Sequence, residues 1–170
     1  MTHDHFERLG LPRRFSLDPA ALEREYLARS RAIHPDYHQL GSSAEQSASV
    51  ELSAALNEAY TTLKDPFKRA EYLMRLEGGP SASELKDMPP EFLEEMLDLR
   101  MEIAALKPDS PAAVAMERQL AARRDDLLTR VGAILDGLAP ETRTARLAES
   151  RRLLNATKYI QNLIRDLRAL

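Results

Sequence analysis

The side chains in this sequence best suited to chemistry are its four histidines and the carboxylates beside them, in His3-Asp4-His5 and His34-Pro35-Asp36-Tyr37-His38. Two imidazoles and a carboxylate form a ligand set for zinc or iron. The spacing argues against that use. His34 and His38 straddle a proline, so they do not stack on one helical turn as metalloprotease ligands do. His3 and His5 lie close to a terminus, where chains fray. Cysteine is absent, which excludes disulfides, thiolate zinc sites, cysteine-ligated clusters and cysteine nucleophiles. Neither a glycine-rich phosphate loop nor a Gly-x-Ser-x-Gly elbow occurs. The expectation is a protein that is not an enzyme, with no metal site and no cofactor; a small histidine/aspartate metal-binding protein is the weaker alternative. His34-Pro35-Asp36 is more informative as a rigid turn, because proline fixes φ and removes a donor.

The elements around that turn are helical. Asp4 to Leu9 reads as a short helix, interrupted by Gly10 and Pro12. Asp18-Pro19 pairs an N-cap with proline at the first helical position. The helix it starts carries Leu22, Tyr26 and Ile33 on one stripe and ends before Pro35. A third helix runs from about Ala44 to Lys64, with Val50, Leu52, Leu56, Ala59, Tyr60 and Leu63 on its inner face. Asp65-Pro66 opens a short fourth helix carrying Ala70, Tyr72, Leu73 and Leu76. Gly78-Gly79-Pro80-Ser81-Ala82-Ser83 then reads as a linker.

Beyond it lie three helical stretches, from Pro89 to Leu106, Pro111 to Leu138, and Glu141 to the end. The first and last stripes alternate four and three residues, through Phe92, Met96, Leu99, Ile103 and Leu106 and through Leu153, Ala156, Ile160, Leu163, Leu167 and Leu170; Leu120, Leu127, Val131, Ile134 and Leu138 serve in the middle stretch. This predicts an antiparallel three-helix bundle. The fold class expected is therefore all-α, with domains over 1–76 and 84–170 joined by a linker over 77–83.

Composition agrees. The 170 residues are 44% apolar and 30% charged, with 5% aromatics and no tryptophan. Net charge is −3, from 24 Lys+Arg against 27 Asp+Glu, so neither duplex coating nor a polybasic membrane anchor is expected. No apolar run approaches the roughly 20 residues that cross a bilayer, and the acidic start lacks a secretory h-region. A cytoplasmic monomer is expected, with no nucleic-acid or membrane partner.

Tyr26 lies eight residues before His34. Asn57-Glu58-Ala59-Tyr60, Leu63-Lys64-Asp65-Pro66 and Arg69-Ala70-Glu71-Tyr72-Leu73 follow. With them, the N-terminal region resembles the J-domain of DnaJ-type co-chaperones. Phe6 through Leu9-Gly10-Leu11-Pro12 and Phe92-Leu93-Glu94-Glu95-Met96-Leu97-Asp98-Leu99-Arg100 narrow the resemblance to the HscB family of iron–sulfur cluster biogenesis, over essentially the full chain. The resemblance implies that His34, Pro35 and Asp36 contact a seventy-kilodalton heat-shock chaperone of the HscA or DnaK class and trigger its ATP hydrolysis. Asp36 offers a fixed charge to a partner arginine. Arg24 and Arg31 can steer the turn to an acidic groove, and with Arg13 they form a small basic face. Arg29 stands where J-domains commonly carry a core leucine; its stem can cover that surface or its head can add to the basic face.

The first C-terminal helix has a second apolar row, Leu93, Leu97 and Met101, rimmed by Glu94, Glu95, Asp98 and Arg100. On the last helix Tyr159 sits among Asn155, Asn162 and Asp166, off the apolar stripe. Exposed apolar residues with a charged rim mark a protein-binding patch. The resemblance implies that Leu93, Leu97 and Tyr159, with Glu94 and Arg100 at the edge, bind the iron–sulfur scaffold protein IscU. Glu94 departs from the methionine often found there, which predicts weaker client binding. A J-protein with a different client is the alternative that keeps only the chaperone-facing half.

Overall fold

The computed structural model describes residues 2–33 and 41–170. Its helices are α1 (His5–Arg8), α2 (Pro19–Ile33), α3 (Ser43–Lys64), α4 (Pro66–Leu76), α5 (Pro90–Ala104), α6 (Pro111–Asp136) and α7 (Arg143–Arg168). No strand occurs among the described residues. The chain divides into two compact units, Met1–Leu73 and Met74–Leu170, so the division falls inside α4.

Local chemistry sets the ends of these helices. The Asp4 carboxylate accepts the Glu7 N–H at 2.9 Å and the Glu7 carboxylate accepts the Asp4 N–H at 3.2 Å, a reciprocal capping box that starts α1. Gly10, at φ 64°, ends it, with its own N–H on the Glu7 carbonyl and that of Leu11 on the Phe6 carbonyl. Gly78, at φ 74°, ends α4 in the same way, with the Gly78 and Gly79 N–H groups on the Arg75 and Met74 carbonyls. These are Schellman motifs, which need the left-handed backbone that glycine adopts without strain. Ser42 and Glu45 form a second capping box at the start of α3.

In the first unit α3 packs against both α2 and α1. Phe6, Leu9, Leu22, Leu56, Ala59, Leu63, Ala70 and Leu73 form its core. Val50 and Leu52, expected on the inner face of α3, are instead exposed. The buried row of α3 steps by sevens through Ser49, Leu56 and Leu63, and Val50 lies about 100° round the helix from Ser49.

In the second unit α7 is the central helix, packed on both α6 and α5. Arg168, at the end of α7, binds Glu117, near the start of α6, so the two run antiparallel. Phe92, Met96, Leu99 and Ile103 line the inner face of α5. In α6 Leu135, not Ile134, is the buried residue of the last turn, and Leu170 lies exposed beyond the end of α7. Burial reaches further round α7 than one stripe, taking in Leu147, Ser150, Arg151, Leu154, Thr157 and Ile164 as well.

Candidate functional site

His34, Pro35 and Asp36 lie outside the described residues. What leads up to them is well defined. The last helical residue before the tripeptide, Ile33, has its carbonyl bound by the Ser49 hydroxyl at 2.6 Å, and Ser49 is itself buried. This bond ties the Ile33 end of α2 to α3. Further back, the Tyr26 and Tyr60 rings stack at 4.1 Å, the Tyr26 hydroxyl donates to Asn57 Oδ1 at 2.6 Å, and Lys64 lies over the Tyr60 ring. Tyr26 against Tyr60 and Ile33 against Ser49 fix α2 and α3 as an antiparallel pair. The family-like Asn57-Glu58-Ala59-Tyr60 segment thus carries two of the groups that clamp the pair.

Arg24 and Arg31 are exposed on α2. With a spacing of seven they share one face, and Leu27, 43% exposed, lies between them. Sequence reasoning left Leu27 unremarked, although its position three residues after Arg24 places it on that face. Arg13 does not join them as a free charge, because it binds the Asp4 carboxylate at 3.0 Å. Burial pushes the Asp4 carboxyl up, but the Glu7 N–H, the Arg13 guanidinium and the Phe6 N–H together hold it below its ordinary value. Arg29 reaches water: its guanidinium pairs with Glu25 at 3.3 Å and lies against Gly10, where a Cβ would collide with it.

On α5, Leu93, Leu97 and Met101 are 47%, 62% and 75% exposed. None belongs to the core of the second unit. Glu94 is exposed one position on from Leu93. Arg100 is exposed and sits over the Tyr159 ring at 5.8 Å, while Tyr159 makes an edge contact with Phe92 at 6.2 Å. By helical period Arg100 and Leu93 are about 20° apart on the α5 surface, so the ring lies on the flank of α5 that Leu93 begins. On the opposite flank Glu95 pairs with Arg123 of α6 at 2.7 Å. The structure therefore brings Arg100 and Tyr159 together, leaves Leu93 and Leu97 open beside them, and ties Glu95 elsewhere.

Asn155 does not join this patch. Its side-chain amide donates to the Leu85 and Asp87 carbonyls, each at 2.9 Å. Arg151, only 3% exposed, donates to the Pro80 carbonyl at 2.8 Å, and Arg143 binds both the carbonyl and the carboxylate of Glu77. Arg143, Leu147, Arg151 and Asn155 form one row at four-residue spacing. That row holds the stretch from Glu77 to Asp87, including the glycine- and serine-rich segment, along α7. The residues that do this were missed in the sequence; the signal available was two arginines and an asparagine recurring on an otherwise apolar face.

Of the histidines and carboxylates that the sequence offers as metal ligands, His34, Asp36 and His38 lie outside the described residues. His3 pairs with Glu7, and the His5 ring stacks on Tyr72 at 4.2 Å. Among the described residues no three histidine or carboxylate groups cluster as a metal would need. No helix among them is long and apolar enough to cross a membrane.

Comparison with known proteins agrees with both halves. The family described as the DnaJ domain matches residues 4–72, a range that includes His34-Pro35-Asp36. The family described as the HSCB C-terminal oligomerisation domain matches residues 88–168. Together they define a J-domain co-chaperone with a second, helical domain. Among curated relatives, the co-chaperone protein HscB homolog of Chromobacterium violaceum is 35% identical over 133 residues, covering 78% of this chain and 76% of that one. The homolog of Bordetella petrii is 34% identical over 134 residues, covering 78% and 79%. Among solved structures, the chaperone HscB from Vibrio cholerae superposes with a TM-score of 0.77 at 29% identity, over 98% of this chain and 96% of that one. Human co-chaperone protein HscB superposes with a TM-score of 0.83 at 25% identity, over 99% and 82%. The chain belongs to the HscB co-chaperone family. Its relatives are named co-chaperones, not enzymes, in agreement with the expectation from the sequence.

Proposed function

We propose that this protein stimulates the ATPase of a seventy-kilodalton heat-shock chaperone of the HscA or DnaK type and delivers the iron–sulfur scaffold protein IscU to it, assisting iron–sulfur cluster assembly and transfer. His34, Pro35 and Asp36 engage the ATPase, and Arg24 and Arg31 steer the encounter. Leu93, Leu97 and Tyr159 bind the scaffold protein, with Glu94 and Arg100 at the rim. The domain over 84–170 holds the client while the J-domain over 1–76 triggers hydrolysis; 77–83 joins them. The protein acts as a cytoplasmic monomer, with no nucleic-acid or membrane partner.

The observation that carries the client half is the row Leu93, Leu97 and Met101, whose exposure rises along the helix. A folded domain that leaves three apolar side chains at four-residue spacing in water has a surface that a partner can cover. Membership of the HscB family supports the chaperone half. Titration calorimetry of the protein with purified IscU tests the client assignment. Saturable one-to-one binding is expected. A protein that stimulates the chaperone but shows no heat of binding with IscU has a different client.

A further inference from the structure

We infer that Met101 is a methionine-oxidation site that switches the client surface off under peroxide. The inference rests on the reading of the Leu93–Leu97 row as that surface. Met101 continues the row by one turn and is 75% exposed, the most open large apolar side chain among the described residues. The other described methionines differ sharply. Met74 and Met96 are 1% exposed and Met116 8%, while Met88 is intermediate. A soluble oxidant must reach the thioether sulfur, so exposure sorts these residues by reactivity, with Met101 first.

The step balances without a protein catalyst. The Met101 sulfur lone pair attacks one oxygen of hydrogen peroxide. An S–O bond forms as the O–O bond breaks, the sulfur is oxidised by two electrons to the sulfoxide, and the peroxide is reduced to water. Oxidation turns a flexible apolar side chain into a polar one with a strong acceptor. Met101 is exposed and is not one of the buried core residues, so its oxidation is expected to leave the fold intact. The patch changes instead, because a partner covering the row now has to desolvate a sulfoxide oxygen that Leu97 and Leu93 cannot satisfy. An unpaired polar group buried at an interface is worth roughly a tenfold loss of affinity. Arg100, the neighbouring donor, lies over the Tyr159 ring rather than along the row. The change is reversible by methionine sulfoxide reduction, which suits a switch more than a lesion.

The test uses the full chain and graded hydrogen peroxide. Peptide mass mapping follows oxidation at Met74, Met88, Met96, Met101 and Met116, and calorimetry with IscU is run before and after treatment. Met101 is expected to oxidise first, and IscU affinity to fall about tenfold in step with it, with an unchanged thermal midpoint. In Met101→Leu, the ratio of affinities before and after peroxide should stay near one. Oxidation of Met88 or a buried methionine ahead of Met101, or full affinity after Met101 is oxidised, refutes the switch alone. Untreated protein that fails to bind IscU refutes the client reading and the switch with it.

Discussion

Replacing both Leu93 and Leu97 with alanine separates a client surface from a core. Each truncation removes three carbons, worth about 2.4 kcal/mol if they pass fully from buried to exposed. Leu93 is 47% and Leu97 62% exposed in the free protein, so roughly 1.1 and 1.5 kcal/mol remain available to a partner. If IscU covers both, the double substitution weakens binding by about 2.5 kcal/mol, on the order of 70-fold in Kd. The part already buried is lost from folding instead, at most about 2 kcal/mol against an extended unfolded chain. Alanine's higher helix propensity offsets some of that. Leu99→Ala is the contrasting control. Leu99 is 7% exposed, and its truncation should cost about 2–5 kcal/mol of stability through transfer and cavity together. The assay is calorimetry with IscU well below the melting transition, paired with thermal unfolding and client-free ATPase stimulation. A fall in IscU affinity with stimulation intact is expected. An unfolded double variant, or an affinity within threefold of the parent, refutes the reasoning.

Three further outcomes follow from single residues. Ser150 is fully buried and its hydroxyl has no hydrogen-bond partner among the described residues, so Ser150→Ala should raise stability by about 0.5–1.5 kcal/mol in denaturant titration. Asn155→Ala removes two hydrogen bonds to the Leu85 and Asp87 carbonyls, and chemical unfolding should register a loss of about 1–2 kcal/mol. Asp4→Asn keeps a capping side chain but not the charge that binds Arg13. Because the folded pKa of Asp4 is lowered, its contribution is complete above the unfolded value of about 3.9 and fades as pH falls through the folded one. The stability gap between parent and variant should therefore close on acidification; a gap that widens below pH 4 contradicts that sign.

Much of the architecture was legible because its signals are local. Asp18-Pro19 and Asp65-Pro66 marked helix starts that the structure places at Pro19 and Pro66, and the Phe92–Ile103 stripe is the buried face of α5. Errors arose where a stripe was drawn too wide. Val50 and Leu52 are apolar but off the row through Ser49, Leu56 and Leu63, and a buried serine that binds the Ile33 carbonyl looks polar to any hydrophobicity pattern. Ser42 and Glu45 carried a readable capping box that the expected start at Ala44 overlooked. The row formed by Arg143, Arg151 and Asn155 was harder to foresee. These side chains bind backbone carbonyls some seventy residues away, and a carbonyl leaves no mark in the sequence. In the candidate site, the exposed row on α5 could be anticipated because that helix has more apolar residues than one stripe uses. The contact between Arg100 and Tyr159 depends on how α5 and α7 meet, which periodicity alone does not fix.

Single-turnover ATP hydrolysis by an HscA- or DnaK-type chaperone, measured with this protein and with its Asp36→Asn variant, tests the central claim most directly. The native chain should accelerate hydrolysis, and more so with IscU present. Asp36→Asn should give no acceleration while retaining the parent's helical circular dichroism and thermal midpoint. Equal acceleration by the variant, or none by the native chain with either chaperone, contradicts the account.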